Sequence, residues 1–335
     1  MKAIVYDKAG LPATDPASLY EVELPTPVAG ENDLLVRVSA IAVNPVDAKL
    51  RAAVQPPGPR ILGWDAVGIV EATGTAVSGF KAGDVVWFAG DITRQGTYAE
   101  YALVDHRIAS RAPTSISAAE AAALPLTGIT AWELLFDRLR IAENGGRGER
   151  LLVIGAAGGV GSILVQLATK LTKLTVIGTA SRPETKAWVS ELGAHDVIDH
   201  TKPLQPQLAE LGHASVDHVT SLTHTEQYYA QIVEILKPQG QFALIDDPAT
   251  LDALPLKRKS ISLHWEFMFT RSMYRTSDIG KQHDLLARIA SLIDEGVLKT
   301  TLGENLGVIN AANLRKAHEL LDSHRARGKL VLSGF

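Results

Sequence analysis

The run Ile154-Gly155-Ala156-Ala157-Gly158-Gly159-Val160-Gly161-Ser162 lies between an apolar, β-branched stretch, Leu151–Ile154, and an apolar helical pattern, Ser162–Leu171. Its Ala156-x-Gly158-x-x-Gly161 spacing is a phosphate-binding pattern with alanine in the first glycine position. Gly158 lets backbone approach a pyrophosphate, and Gly161 lets the following helix pack closely on the strand. Amides at the helix N-terminus face the anion, and Gly159 and Val160 in the loop are further candidate cofactor contacts. A second strand, Leu174–Thr179, ends where a mononucleotide-binding unit requires it. Taken alone, the loop also fits a tight turn in an α/β domain that binds nothing.

Working outward, strands and helices keep alternating. Pro183–Leu192 is a helix with proline in its first turn, and Asp196–Ile198 is a third strand. Val216–Ser221, Glu226–Leu236 and Gln241–Ile245 continue as strand, helix and strand. This rhythm predicts an α/β fold with a doubly wound parallel sheet. Upstream the chain is β-rich, with short runs such as Leu34–Val38, Val67–Val70 and Asp84–Phe88 between turn residues. A capping-box spacing, Ser117-x-x-Glu120, starts a helix. Two late helices, Asp284–Glu295 and Ala311–Ser323, precede a final strand, Lys329–Leu332. The expected division is an N-terminal β domain over 1–123, the parallel-sheet domain over 124–270 and a return segment over 271–335.

Composition narrows the function classes. Of 335 residues, 46% are hydrophobic and 21% charged, enough for two cores without covalent support. Thirty-three Lys and Arg against 37 Asp and Glu leave a net charge of −4, so no basic excess points to nucleic acid or membrane. With no cysteine, disulfides, Cys-ligated zinc, iron–sulfur clusters and thiolate catalysis are excluded. Asp7 and Lys8 interrupt the N-terminus before an apolar core forms, so no signal peptide and a cytoplasmic setting are expected.

The end of the second strand bears on the cofactor. An acid there would hold the ribose 2′-hydroxyl of NAD. The chain instead has Gly178-Thr179-Ala180-Ser181-Arg182, with no acid before Glu184. Ser181 and Arg182 suit a 2′-phosphate, which favours NADPH. The alternative makes Ser181 a helix N-cap and Arg182 a solvated charge.

Together with Ala42-Val43-Asn44-Pro45-Val46-Asp47, Ile61-Leu62-Gly63-Trp64-Asp65, Gly83-Asp84-Val85-Val86, Ala121–Thr127 and Gly328–Leu332, the glycine loop forms an ordered set. In this set the chain resembles the medium-chain dehydrogenase/reductase superfamily, in its zinc-free quinone-oxidoreductase branch and the zinc-type alcohol dehydrogenase-like group. The resemblance implies a GroES-like β-barrel domain, a Rossmann domain, a cleft between them and a homodimer. It also implies cofactor contacts from Thr127, Ile245 and Lys329, the last on a phosphate. Thr127 is otherwise a helix-start hydroxyl, and Lys329 otherwise a solvated charge.

Zinc-dependent relatives use cysteine and histidine ligands. The matching positions here are Asn44, Trp64 and the neighbourhood of Thr127–Gly128, a poor donor set for zinc. No metal is therefore expected. Without a metal, a quinone or an α,β-unsaturated carbonyl is the better hydride acceptor, since conjugation spreads the developing charge. Asn44 is the candidate to hold the acceptor carbonyl, or else an Asn-Pro turn residue. Asp47 orders water or forms a salt bridge with Lys49 or Arg51. Trp64 walls a flat acceptor or fills core, and Tyr98 is a candidate proton donor. The aromatic run Leu263–Phe269 lines the acceptor site, a dimer seam or plain core. Two other readings remain open: a zinc alcohol dehydrogenase, and a non-catalytic NADPH-binding sensor.

Overall fold

The structure is a computed structural model that describes residues 1–323 and 325–335. The chain divides into two compact units, residues 1–129 with 269–335 (unit 1) and residues 130–268 (unit 2). Sixteen strands are described. Those of the N-terminal part are Lys2–Tyr6 (β1), Tyr20–Glu23 (β2), Asp33–Val43 (β3), Arg60–Ile61 (β4) and Asp65–Thr73 (β5). Val85–Phe88 (β6), Tyr101–Asp105 (β7) and Ala109–Arg111 (β8) complete it. Unit 2 adds Arg150–Ile154 (β9), Thr175–Thr179 (β10), Asp196–Ile198 (β11), Val216–Ser221 (β12), Leu236–Leu244 (β13) and Ser262–Trp265 (β14). Leu302–Asn305 (β15) and Lys329–Ser333 (β16) close the chain.

Unit 1 is organised around β3. Its first four residues alternate between half-buried and buried, and its last four, Ala40–Val43, are all buried. One edge of β3 pairs with β5. The other pairs with β7 along Asp33–Arg37 and with β16 along Ala40–Val43. The last strand of the chain thus completes a sheet begun by the third. A smaller antiparallel sheet, ordered β2-β1-β4, belongs to the same unit. The Ser117–Glu120 capping box forms as its spacing predicts, with Glu120 accepting from Ser117 N at 2.9 Å.

Unit 2 has the strand order β11-β10-β9-β12-β13-β14, every pair parallel. Order reverses between β9 and β12, and such a switch point opens a crevice at the carboxyl ends of the strands. The core on one face is Leu152, Ile154, Ile177, Val219, Ile232, Phe242 and their neighbours. Three differences from the sequence reading have local causes. Strand β13 begins at Leu236, directly after helix Thr225–Ile235, so residues read as helix end and turn are already strand. A helix, Leu204–Glu210, follows β11 despite containing Pro206. The run Leu263–Phe269 contributes β14, the sixth strand, in the sheet rather than beyond it.

Glycine 161 shows why the loop sequence is constrained. A Cβ there would lie 2.4 Å from Gly155 O and 2.6 Å from the Ala156 Cα, both backbone atoms of the loop. The helix can approach β9 this closely only without a side chain. Gly161→Ala is therefore expected to lower stability by about 1–3 kcal/mol as the helix is pushed off the strand, measured by urea unfolding followed through tryptophan fluorescence.

Candidate active site

The carboxyl ends of the parallel strands in unit 2 bring together most of the predicted cofactor residues. Helix Gly159–Leu171 starts from Gly158 without any side-chain cap. The first intrahelical bond is Ser162 N to Gly158 O at 2.9 Å, so the amides of Gly159, Val160 and Gly161 have no intrahelical acceptor. Ala156 is buried beneath the loop, and Gly158, Gly159 and Val160 are partly exposed. The loop is tied to the next strand by Gly155 N donating to Thr179 Oγ1 at 3.1 Å.

After β10, Arg182 occupies the N-cap position of helix Pro183–Glu191; the helix cap expected at Ser181 falls one residue later. Arg182 Nε lies 3.2 Å from Glu184 Oε1. Lys186 and His200 were missed in the sequence reading. Lys186 stands one turn further along the helix and reaches Asp199 at 3.6 Å, just beyond β11. His200 follows, edge-on to Tyr228, where burial and the neighbouring His224 and Lys186 push its imidazole below the usual range. A cavity of about 550 Å³ lies there, lined by His200, Lys202, Tyr228 and Gln231 among others. Ile245, partly exposed, follows β13 on the same edge. The signal for Lys186 was its one-turn spacing from Arg182.

In unit 1 three of the four predicted catalytic residues, Asn44, Asp47 and Tyr98, join one buried network. Asn44 N donates to Asp47 Oδ2 at 2.8 Å, half of a capping box at helix Pro45–Ala53. The Asn44 side chain donates through Nδ2 to Asp65 Oδ2 at 2.8 Å, and its Oδ1 accepts from Lys329 Nζ. Lys329 Nζ also donates to Val43 O and Asp65 Oδ2, each at 3.1 Å. Its three protons thus meet three acceptors within unit 1, and the side chain is 3% exposed. This geometry corrects two expectations. The Asn44 amide is engaged by Asp65 and Lys329 instead of standing free for a carbonyl, and Lys329 is neither solvated nor turned to a phosphate.

Asp47 continues the network. Tyr98 Oη donates to Asp47 Oδ2 at 2.8 Å and lies 3.2 Å from His318 Nε2. Arg51 Nε donates to His318 Nδ1 at 3.2 Å. A guanidinium only donates, so Nδ1 is the acceptor and Nε2 carries the imidazole proton. That proton points at Tyr98 Oη, whose own proton points at Asp47. Burial and the Arg51 charge push His318 down to about 3, which keeps this tautomer neutral. Burial pushes Asp47 up to about 7 against the opposing pull of Asn44 N, Tyr98 and Lys329. Burial and Asp47 raise Tyr98 well above a free phenol, making it a poor proton donor. The expected ion pair of Asp47 with Arg51 is replaced: Arg51 reaches Asp322 at 3.3 Å and the Leu11 carbonyl.

Trp64 is buried, donates Nε1 to Asp91 O at 3.0 Å and meets Phe269 edge-to-face at 5.9 Å. Thr127 is buried, and its hydroxyl donates back to Ala123 O and Leu124 O, each at 3.3 Å.

Residues 30–114 match the alcohol dehydrogenase GroES-like domain, and residues 192–332 match a zinc-binding dehydrogenase family. A zinc-type alcohol dehydrogenase-like protein of Staphylococcus aureus (strain MSSA476) is 43% identical over 320 residues, 94% of each chain. A crystal structure from Rhizobium etli CFN 42, provisionally described as a zinc-dependent alcohol dehydrogenase, is 52% identical with a TM-score of 0.96. It covers 100% of this chain and 98% of its own. Escherichia coli quinone oxidoreductase complexed with NADPH is 27% identical, with a TM-score of 0.85 over 99% of this chain and 100% of that one. A GroES-like domain followed by a glycine-loop parallel sheet defines a dehydrogenase/reductase architecture. The chain belongs to the medium-chain dehydrogenase/reductase superfamily, among its zinc-type alcohol dehydrogenase-like members, and is an oxidoreductase of that type.

Zinc, which these family descriptions imply, does not fit the residues present. Asn44 offers an amide already engaged, Trp64 an indole N–H turned to a carbonyl, and Thr127 a hydroxyl turned to the backbone. Lys329 Nζ also occupies the Asn44 Oδ1 and Asp65 Oδ2 oxygens that a cation would need. Among the described residues, no group of three His, Asp or Glu is placed to hold a metal ion. A dinucleotide does fit, since the open amides of residues 159–161 and the close-packed loop are what a pyrophosphate requires.

Removing the Lys329 charge strands Asp65 in a buried site. Lys329→Met is expected to destabilise unit 1 by about 3–5 kcal/mol. The double variant Lys329→Met, Asp65→Asn should recover much of that loss, as read by chemical denaturation of both proteins.

Proposed function

We propose that this chain reduces quinones or α,β-unsaturated carbonyls with NADPH and without zinc. The observation that carries the reading is the Lys329–Asn44–Asp65 cluster, in which an internal ammonium stands beside Asn44. When bound, NADPH would supply the hydride. The amides of Gly159 and Val160 bind its pyrophosphate. Ser181, Arg182 and Lys186 hold the 2′-phosphate, where an acid would have selected NAD. The E. coli quinone oxidoreductase, with its NADPH, supports both cofactor and acceptor class. A conjugated acceptor suits a site without a Lewis acid, because its own π-system takes up charge that a metal would otherwise stabilise. Solvent supplies the proton, since Tyr98 is committed to Asp47.

Chelator-treated protein should oxidise NADPH with a 1,4-quinone or a simple enone and act weakly on an aliphatic aldehyde. Stoichiometric zinc with chelator-sensitive alcohol oxidation would identify a zinc dehydrogenase instead. Tight NADPH binding with no turnover of either conjugated acceptor would identify a sensor. Arg182→Ala should weaken NADPH binding about ten- to hundredfold, matching a lost charged hydrogen bond of about 1.5–3 kcal/mol. NADH binding should change little; equal losses for both nucleotides would refute the 2′-phosphate assignment.

A homodimer is part of this reading. Strand β14 is the outer strand of the six-stranded sheet; it ends in half-exposed Trp265, and half-exposed Phe267 follows two residues later. Light scattering of the purified protein should return twice the mass of the 35.9 kDa chain.

A further inference from the structure

Unit 2 contains a charged cluster with no part in the proposed chemistry. Glu133 opens a π-helical turn, Glu133–Arg138, and Arg138 closes it. Glu266 follows the last residue of β14. Both glutamate side chains are fully buried, whereas Arg138 is 30% exposed. Arg138 Nε donates to Glu266 Oε2 at 2.6 Å, and its Nη2 lies 3.5 Å from Glu133 Oε2. The two carboxyl groups are within hydrogen-bonding reach of each other.

One guanidinium between two carboxylates leaves a net negative charge in a buried place, which is strongly unfavourable. Glu266 Oε1 is buried and receives no N–H or O–H donor. Since Oε2 is already bonded to Arg138, a proton kept by the pair belongs on Oε1, from which it donates to Glu133. Other charged groups face this region. His264 lies on β14, and burial with Arg140 and Arg138 pushes its imidazole down, so it is neutral here. Arg140 follows the π-turn. From β13, Leu244 O accepts from Glu266 N at 3.0 Å.

We propose that Glu133 and Glu266 retain one proton between them at neutral pH, and that this proton latches the end of β14 onto the π-turn. The latch lies at the carboxyl edge of the parallel sheet, on the strand next to Ile245 and immediately before half-exposed Phe267. It therefore deepens the proposed function, on which it rests for its ligand: releasing the end of β14 weakens nucleotide binding.

The pH dependence follows from linkage. Burial, aided by Glu133, pushes Glu266 up to about 9 against the pull of Arg138, and an unfolded glutamate titrates near about 4.3. Between those values the folded protein binds the extra proton. The stability it contributes is full below the lower value and falls about tenfold in unfolding constant per pH unit up to the higher one. Within the folded protein the proton leaves near the higher value. Nucleotide binding is therefore flat below it and weakens above.

Glu266→Gln holds a permanent donor for Glu133 and an acceptor for Arg138. The unfolding constants of the full chain and of E266Q should diverge in favour of the variant by about tenfold per pH unit between about pH 6 and 8. Glu133→Gln removes the same ionisation from the other side and should diverge likewise, even where E266Q fails to fold. A ratio that stays constant over that range overturns the proposal. In NADPH titrations, wild-type affinity should fall above about pH 9 and E266Q affinity should not; equal falls overturn the latch. If neither protein binds NADPH or NADH at any pH, the proposed function fails, while the unfolding comparison still decides whether the proton is retained.

Discussion

A single buried ammonium holds unit 1 together. Lys329 stands 285 residues from Asn44 and 264 from Asp65, yet it donates to both. Asp65 in turn accepts from Leu126 N at 2.7 Å through its second oxygen. The end of β3, the start of β5, the start of helix Pro125–Trp132 and the start of β16 therefore converge on one ion pair. Such a pair adds little net stability compared with well-packed apolar side chains, since desolvating two charges offsets most of their attraction. What it adds is register. Leu330 pairs with Val43 and Leu332 with Ile41. A slip of one residue would carry the ammonium to the apolar face and leave Asp65 unpaired, so alternative registers are strongly disfavoured.

The parts of the molecule legible in the sequence are those whose signals are local. The glycine loop, its flanking strand and helix, the proline-started helix after β10 and the Ser117–Glu120 cap all lie within a few residues of their physical cause. Strands β11 and β12 match their expected bounds for the same reason. The unit 1 network could not be read this way, because its members come from opposite ends of the chain. Asn44, Asp47, Trp64 and Tyr98 were recognisable as special. The pairing of Asn44, Asp47 and Tyr98 with Asp65, His318 and Lys329 follows only from the way the C-terminal helix Ala311–Asp322 and β16 fold back beside the N-terminal part of the chain. Glu133 and Glu266 did carry a signal, each an acid inside an apolar run, Trp132-Glu133-Leu134-Leu135 and Trp265-Glu266-Phe267-Met268. An acid so placed must be paired, neutralised or functional.

The hydrogen bonds of the unit 1 network fix the positions of its protons. The chain from Arg51 through His318 and Tyr98 to Asp47 has one direction, because its first donor cannot give up its proton. Every later donor and acceptor is then determined. Asp47 receives both Tyr98 and Asn44 on Oδ2, while Oδ1 is buried without a donor. That asymmetry explains why burial outweighs two hydrogen bonds and a nearby ammonium in raising its carboxyl. A chain ending at an arginine cannot pass protons to solvent, so this one orients Asp47 and the start of helix Pro45–Ala53 rather than conducting.

The same electrostatics bear on the chemistry. A metal stabilises negative charge on a substrate oxygen because it has an open coordination position and a charge its ligands do not cancel. Lys329 has neither: its three protons are taken, and Asp65 balances its charge. An oxygen near this cluster would therefore find a wall with no net field and no free donor. Hydride acceptors that localise charge on one oxygen would gain little from it. Acceptors that delocalise the charge need less help, which is why the proposed function assigns a conjugated acceptor to a site organised by an internal ion pair.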